Sequence, residues 1–522
     1  WAVSQHSYAQ LSPAYMALQN FINLQVNGTN GDFCIRCHNQ VGMNMEERVQ
    51  VSNLERHPTS REGITCIVCH PVANIYNKAS GRVALVEGDL LQPVYGPAGD
   101  KELKRVLANR NEYRVVTKAD EPGRKIHTEA IEFKQISTST FCGTCHDVTL
   151  LNGFRLEEAF SEYRGSPAAA KGISCQDCHM GKVQGIVSGY HEGPAAVVGG
   201  VPTKSRKLTN HIMAGPDYSL LPPGIFPHNA EAQQLATLSE WLTFDVAAGW
   251  GTDKFEDNVP EGIKFPKAWD SIDARYDARE IIEYQLKRLA YVRTLRLEVL
   301  RNGYLLSDVK ATRADRGGID IQARVSNITE GHNTPTGFTG ERLVWVRITV
   351  MDADGKVVFK SGDTDPNGDV RDNESAFVHA GEMPLDTQLF NLQSRFLVQN
   401  IRGGERERTV TIPYSTTALP FLRPTRLSLI LTGESTVERN HRKGIEPLGH
   451  RIAKFEITGD QLTGKGPYKA KVELLAQMFP INLISTIQVV GFDYGISPRA
   501  AADAVVAGRE VLYEENLTID VK

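Results

Sequence analysis

The chain has no apolar run that crosses a bilayer. Its best stretch, Leu474 to Val490, is broken by Gln477, Pro480, Asn482, Ser485 and Gln488, where a spanning helix needs about 20 predominantly apolar residues. It has no charge excess either: 58 Lys and Arg against 62 Asp and Glu give a formal charge of −4, which leaves no electrostatic footprint for nucleic acid. The sequence begins abruptly at Trp1 without a signal-peptide pattern, as is expected of a processed export product. Cysteine is absent except in four places. All eight cysteines of the 522 residues fall in four Cys-x-x-Cys pairs.

Each pair is followed at once by histidine: Phe33-Cys34-Ile35-Arg36-Cys37-His38, Gly63-Ile64-Thr65-Cys66-Ile67-Val68-Cys69-His70, Phe141-Cys142-Gly143-Thr144-Cys145-His146 and Gly172-Ile173-Ser174-Cys175-Gln176-Asp177-Cys178-His179. This is the c-type haem attachment signature, in which two thiols add to the haem vinyls and the histidine ligates iron. A single Cys-x-x-Cys also suits a zinc knuckle or a thioredoxin-like pair. Four motifs, each with its histidine and together using every cysteine, set that alternative aside. Four covalently attached c-type haems are expected, with His38, His70, His146 and His179 as proximal ligands.

The motifs come as two similar halves. In each, the first motif follows phenylalanine and the second follows Gly-Ile-Ser/Thr. The first cysteines are 32 residues apart in one half (34 to 66) and 33 in the other (142 to 175), the mark of an internal duplication.

These motifs, together with Trp1-x-x-Ser4-x-His6, the continuation Cys175-Gln-Asp-Cys-His-Met180 and Asn210-His211-Ile-Met-Ala-Gly215, resemble the multihaem cytochrome c family that contains the tetrahaem cytochrome c554 domain. The resemblance covers roughly residues 1 to 230. A weaker one, at Gly331-His332-Asn333-Thr334-Pro335-Thr336-Gly337, is to the non-haem β domain of larger members.

Duplication supplies the second iron ligands. His6 and His127 each precede the first motif of a half, and His57-Pro58 lies nine residues before Cys66, where the second half has Ser166-Pro167. The lost histidine needs a substitute, and His211 in the family-like run is chosen, with His191 behind it. Met43, Met180 and Met213 lie near motifs and offer thioether ligation, which would raise the potential. Histidines suffice, so bis-histidine, low-potential haems are expected. His332, on a turn of the later domain, either reaches a haem or stabilises its turn.

The length suggests two or three domains. Residues 1–230 are turn-rich and read as a mostly helical or irregular domain packed around haems. Residues 231–303 read as a helical connector, with Leu235, Leu238, Leu242 and Val246 as one helical stripe. A longer helix is capped by Ser271, runs through Ile282, Leu286 and Leu289, and ends near Asn302-Gly303. The period changes to two in residues 304–460, as in Ile319, Ile321, Ala323 and Val325 and again in Val344, Val346, Ile348 and Val350. Asp354-Gly355 is read as a turn, and Leu389–Val398, Arg408–Ile412, Arg426–Leu431 and Arg451–Ile457 as further strands of a β-sandwich. Residues 461–522 read as mostly helical, through Tyr468–Met478 and Pro498–Glu514. The fold class expected is α+β multidomain.

A row of six-coordinate haems has no open iron, so the expected function is single-electron transfer by an exported tetrahaem cytochrome with redox-protein donor and acceptor. Covalent haem is attached outside the cytoplasmic membrane, so the location expected is periplasmic or extracellular. Two other readings stand beside it. One is a subunit of an extracellular cytochrome filament, with His6 donated by the N-terminal arm to a neighbouring copy. The other is an enzyme acting on nitrogen oxides or oxygen at a five-coordinate haem, though the chain lacks a Cys-x-x-Cys-Lys motif.

Overall fold

The computed structural model describes residues 1–25, 27, 28, 30–74, 80, 81, 83–86, 88, 91–149, 155–400, 408–412 and 438–520. It contains helices and several small sheets, an α+β arrangement.

The first 230 residues fold with little regular structure, mostly in short helices and two-stranded ladders. Order there comes from the chain's beginning. Val3, Ser4, Ser7, Tyr8, Gln10 and Leu11 are buried, and the segment is tied down along its length. Trp1 Nε1 donates to Ile64 O at 2.8 Å, Ile64 N–H to His6 O at 2.9 Å and Gln285 Nε2 to the Tyr8 hydroxyl at 2.6 Å. Helix Pro13–Gln25 follows and buries Ala14, Ala17 and Phe21 against Ile481, Leu483, Ile484, Ile487, Ala501 and Val505 near the other end of the chain. Ser52 and Asn53 are likewise bound by the Asp493 carboxylate at 2.5 and 2.7 Å.

Residues 231–303 depart from the expected single stripe. The chain forms two short helices, Ala230–Leu235 and Leu238–Trp241, because Thr237 caps the second through a capping box with Glu240 and so interrupts the first. Leu235, Leu238, Leu242 and Val246 lie only part-buried around a core of Trp241, Phe244, Trp250 and Trp269. Trp269 lies 5.0 Å from Trp241 and 5.1 Å from Phe244, centroid to centroid, and its indole N–H donates to Glu240 O and Thr243 Oγ1 at 3.0 Å. Trp269→Ala should therefore cost about 3–5 kcal/mol, read as a lower denaturant midpoint. Helix Ile272–Gly303 has the expected extent, but the Ser271 side chain makes no cap bond. Its inward face is Arg275, Ala278, Ile282, Gln285, Arg296 and Leu300, whereas Leu286 is 43% exposed.

Beyond it lie two antiparallel sheets. One orders Tyr304–Arg313, Ile319–Asn327 and His450–Ile457; the other orders Val357–Ser361, Leu343–Met351, Tyr468–Gln477 and Glu510–Ile519. Ile319, Ile321, Ala323 and Val325 from the first and Val344, Val346, Ile348 and Val350 from the second share one core, which is what their period of two requires. Asp354-Gly355 turns the second sheet, with Gly355 at φ 81°. Arg408–Ile412 is a strand of a third, small sheet with Arg395–Asn400 and Glu438–His441. The strand expected at Leu389–Val398 thus starts only at Arg395, and that expected at Arg426–Leu431 lies outside the described residues.

The tail is the largest correction. Tyr468–Gln477 is a strand, not a helix, and it pairs with Leu343–Met351 on one side and Glu510–Ile519 on the other. Ala470, Val472, Leu474 and Ala476 face the shared core, while Leu475 packs with Leu343 and Trp345 on the opposite face. With both faces covered the alternation disappears, and a continuous apolar run cannot be told from a buried helix by period. Among the described residues there, only Ile481–Ile487 and Pro498–Ala507 are α-helical.

Candidate haem sites

Each Cys-x-x-Cys-His run winds into about one helical turn, which brings its two thiols and its imidazole to one side. The turns are Ile35–His38, Cys66–Cys69, Ser139–Gly143 with Cys145 and His146 just beyond, and Cys175–His179. The last is fixed most firmly, because Ser174 and Asp177 form a capping box. All eight thiols are free.

Three of the four motif histidines are oriented through one ring nitrogen. His38 Nδ1 meets Ala9 O at 3.3 Å, His70 Nδ1 meets Tyr95 O at 2.8 Å and His146 Nδ1 meets Glu157 Oε1 at 3.2 Å. This second contact fixes a metal-ligating imidazole and leaves Nε2 for the metal. His211 and His332 share the pattern, through Thr209 O at 3.0 Å and Asn333 O at 2.8 Å.

Two ring pairs face each other. His6 lies 6.1 Å from His146 with planes 49° apart, and His179 lies 6.2 Å from His332 with planes 9° apart. A metal–imidazole bond of about 2 Å on either side, plus half a ring at each end, puts two trans imidazoles roughly 6 Å apart centre to centre. The residues therefore fit bis-imidazole iron at both places. Burial, then the neighbouring imidazoles, lowers His6 and His179 to about 4, so both are neutral as ligation requires. Burial also opposes charge on His146, but the Glu157 carboxylate outweighs it and holds that ring up at about 9. With metal on Nε2, the same contact makes the imidazole a stronger donor.

His332 reaches His179 because its loop is pinned from two sides. Asn327 Nδ2 donates to His332 O and Ile445 O, each at 2.9 Å, and Thr334 and Ile445 exchange backbone bonds at 2.9 Å. Across the junction Asn333 Nδ2 donates to Glu162 Oε1 at 2.9 Å, Thr336 Oγ1 to Glu162 Oε2 at 2.5 Å, and Glu330 binds Lys171 at 2.5 Å.

The other candidates are placed as follows. Burial first, then the His70 imidazole, lowers the pKa of His211. His57 is exposed, its Nδ1 accepting from Thr59 N–H at 3.2 Å. His127 is half-buried between strands Arg124–Lys125 and Ala130–Glu132, and His191 begins the exposed strand His191–Pro194. His38 stacks on Tyr15 at 4.0 Å. Sequence reasoning passed over His228, whose Nδ1 meets Glu62 Oε1 at 2.8 Å beside the second motif. No signal in the sequence marks that pairing across 166 positions.

No protein-family model matches the chain, and no curated protein matches it. Among solved structures the chain is similar to a penta-haem cytochrome c552 from Thermochromatium tepidum, at 15% identity and a TM-score of 0.49, over 99% of this chain and 94% of that one. This chain has four attachment motifs.

Proposed function

We propose that the protein is a tetrahaem c-type cytochrome that carries single electrons. The observation that carries this reading is the pair of facing imidazoles, His6 with His146 and His332 with His179, each at the separation a shared iron needs and each including a motif histidine. When bound, the haems supply reversible one-electron chemistry. The chain supplies thioether attachment through Cys34, Cys37, Cys66, Cys69, Cys142, Cys145, Cys175 and Cys178, and proximal imidazoles from His38, His70, His146 and His179. His6 and His332 serve as second ligands to the third and fourth motifs. His211, His57 and His127 are the candidates for the irons on His70 and His38. Two imidazoles close an iron to substrate and keep its potential low relative to methionine ligation.

In this reading the two larger sheets form the expected β-sandwich. Its loop lends a ligand through His332, so the domain holds the array together as well as covering it. The carrier reading is favoured over a filament joined by His6, because that ring lies 6.1 Å from His146 of its own chain on a buried segment. Among the described residues no helix is long and apolar enough to cross a membrane. Covalent haem attachment argues for a location outside the cytoplasmic membrane, with redox proteins as donor and acceptor.

Electron paramagnetic resonance of the oxidised protein tests the ligation. The expected result is low-spin iron with at least two resolvable signals, the more rhombic from the near-parallel pair His179 and His332, and slow carbon monoxide binding after reduction. A dominant high-spin signal with rapid carbon monoxide uptake would favour an enzyme.

A further inference from the structure

His38 is set apart from two other motif histidines by what lies on its ring. Tyr15 covers it at 4.0 Å between centroids with the planes 8° apart, whereas His146 and His179 face other imidazoles at 6.1 and 6.2 Å. The spacing decides what Tyr15 can do. Two rings that share a metal need centres roughly 6 Å apart, so 4.0 Å leaves no room for an ion between Tyr15 and His38 and makes the contact direct face-to-face packing. The phenol oxygen is engaged elsewhere: the Tyr15 hydroxyl donates to Gln19 Oε1, and Gln19 Nε2 donates to Val49 O at 2.7 Å. Tyr15 is thus not a ligand but a plate laid against one.

That plate is held without help from His38. Tyr15 belongs to helix Pro13–Gln25, its N–H donates to Ser12 Oγ at 3.3 Å, and Ala14, Ala17 and Phe21 of the same helix are buried in a core shared with Ile484 and Val505. His38 is also held at its edge, where Nδ1 meets Ala9 O at 3.3 Å. A contact on the edge and a plate on the face together fix both the direction and the plane of the imidazole, and both leave Nε2 open. We propose that Tyr15 is a positioning residue for the first-motif ligand His38: its ring sets the plane of the imidazole, and its electron-rich face favours the more positive, oxidised state of the iron that the imidazole holds. This rests on the carrier reading above, in which His38 ligates iron.

An electron-resonance redox titration of the holoprotein tests it with two substitutions. Tyr15→Leu removes the ring, and Tyr15→Phe keeps the ring while removing the hydroxyl. In Tyr15→Leu one ferric signal of the set should change its anisotropy, and the iron that gives it should be about two- to fivefold more readily reduced, with the other signals unmoved. The signal that moves should be the one that His38→Met alters. Tyr15→Phe should restore both the signal and the potential of the unsubstituted protein. If Tyr15→Leu does not fold, Tyr15→Met removes the ring with more of its volume kept, and the same shift is expected. A ring-less variant whose signals and potentials all stay in place, however far its denaturant midpoint falls, overturns the inference and leaves Tyr15 a packing residue. A Tyr15→Phe variant that shifts as far as the ring-less one also overturns it, because the hydroxyl and not the plate would then act. Absence of low-spin ferric signals from the unsubstituted protein overturns the carrier reading itself, and the inference with it.

Discussion

Deleting residues 1–10 is expected to abolish the folded N-terminal region. The segment is the middle of that region. Its loss uncovers the sites filled by Val3 and Tyr8, both buried, at about 1.5–3 kcal/mol for each large apolar side chain. It also removes the His6 carbonyl that holds Ile64 beside the second motif and the His6 ring facing His146. Ala9, whose carbonyl orients His38, is lost with them. Against a total stability of about 5–15 kcal/mol, such a loss leaves no margin. Circular dichroism and size exclusion of the truncated chain check it. A folded, monomeric product lacking one axial ligand would contradict the account, and intact protein that assembles while truncated protein is a folded monomer would restore the filament.

His332→Ala should act differently, changing one iron and sparing the fold. The loop keeps its anchors, because Asn327, Thr334 with Ile445, and Glu162 hold its backbone and neighbours without using the imidazole. The iron on His179 then loses the ring 6.2 Å away, and one haem in four should pass from low to high spin and bind carbon monoxide after reduction, with little change in denaturant midpoint. Asn333→Ala would loosen the ring without removing it and should give a mixture of spin states. An unaltered spectrum in His332→Ala would return that histidine to a turn-stabilising role.

What could be read from the sequence follows the range of the interaction. The four Cys-x-x-Cys-His turns depend on residues at most five apart, so their cysteines and histidines mark them in the sequence. Strands with one buried face, such as Ile319–Asn327, were readable for the same reason. Tyr468–Gln477 was not, because sheet pairing on both edges and packing on both faces erase its period. The facing imidazoles were hardest, since His6 meets His146 and His332 meets His179 only after the domain has closed. Duplication offered His6 as a second ligand without saying to which motif, and the folded arm sets its ring beside His146. It gave no hint that a β loop would stand where Ser166-Pro167 had lost its histidine. The short helices about Thr237 show a local signal that was available and overlooked, since Thr237-x-x-Glu240 is a capping box.

The central claim is that this chain carries four covalent haems, and the amount of haem that stays with fully denatured protein tests it most directly. Thioether bonds survive unfolding, whereas iron–imidazole bonds do not. A pyridine haemochrome assay on the denatured, gel-filtered chain, with its intact mass measured alongside, is predicted to give four haems per polypeptide. One haem or none, with the eight thiols free to react, would contradict the account.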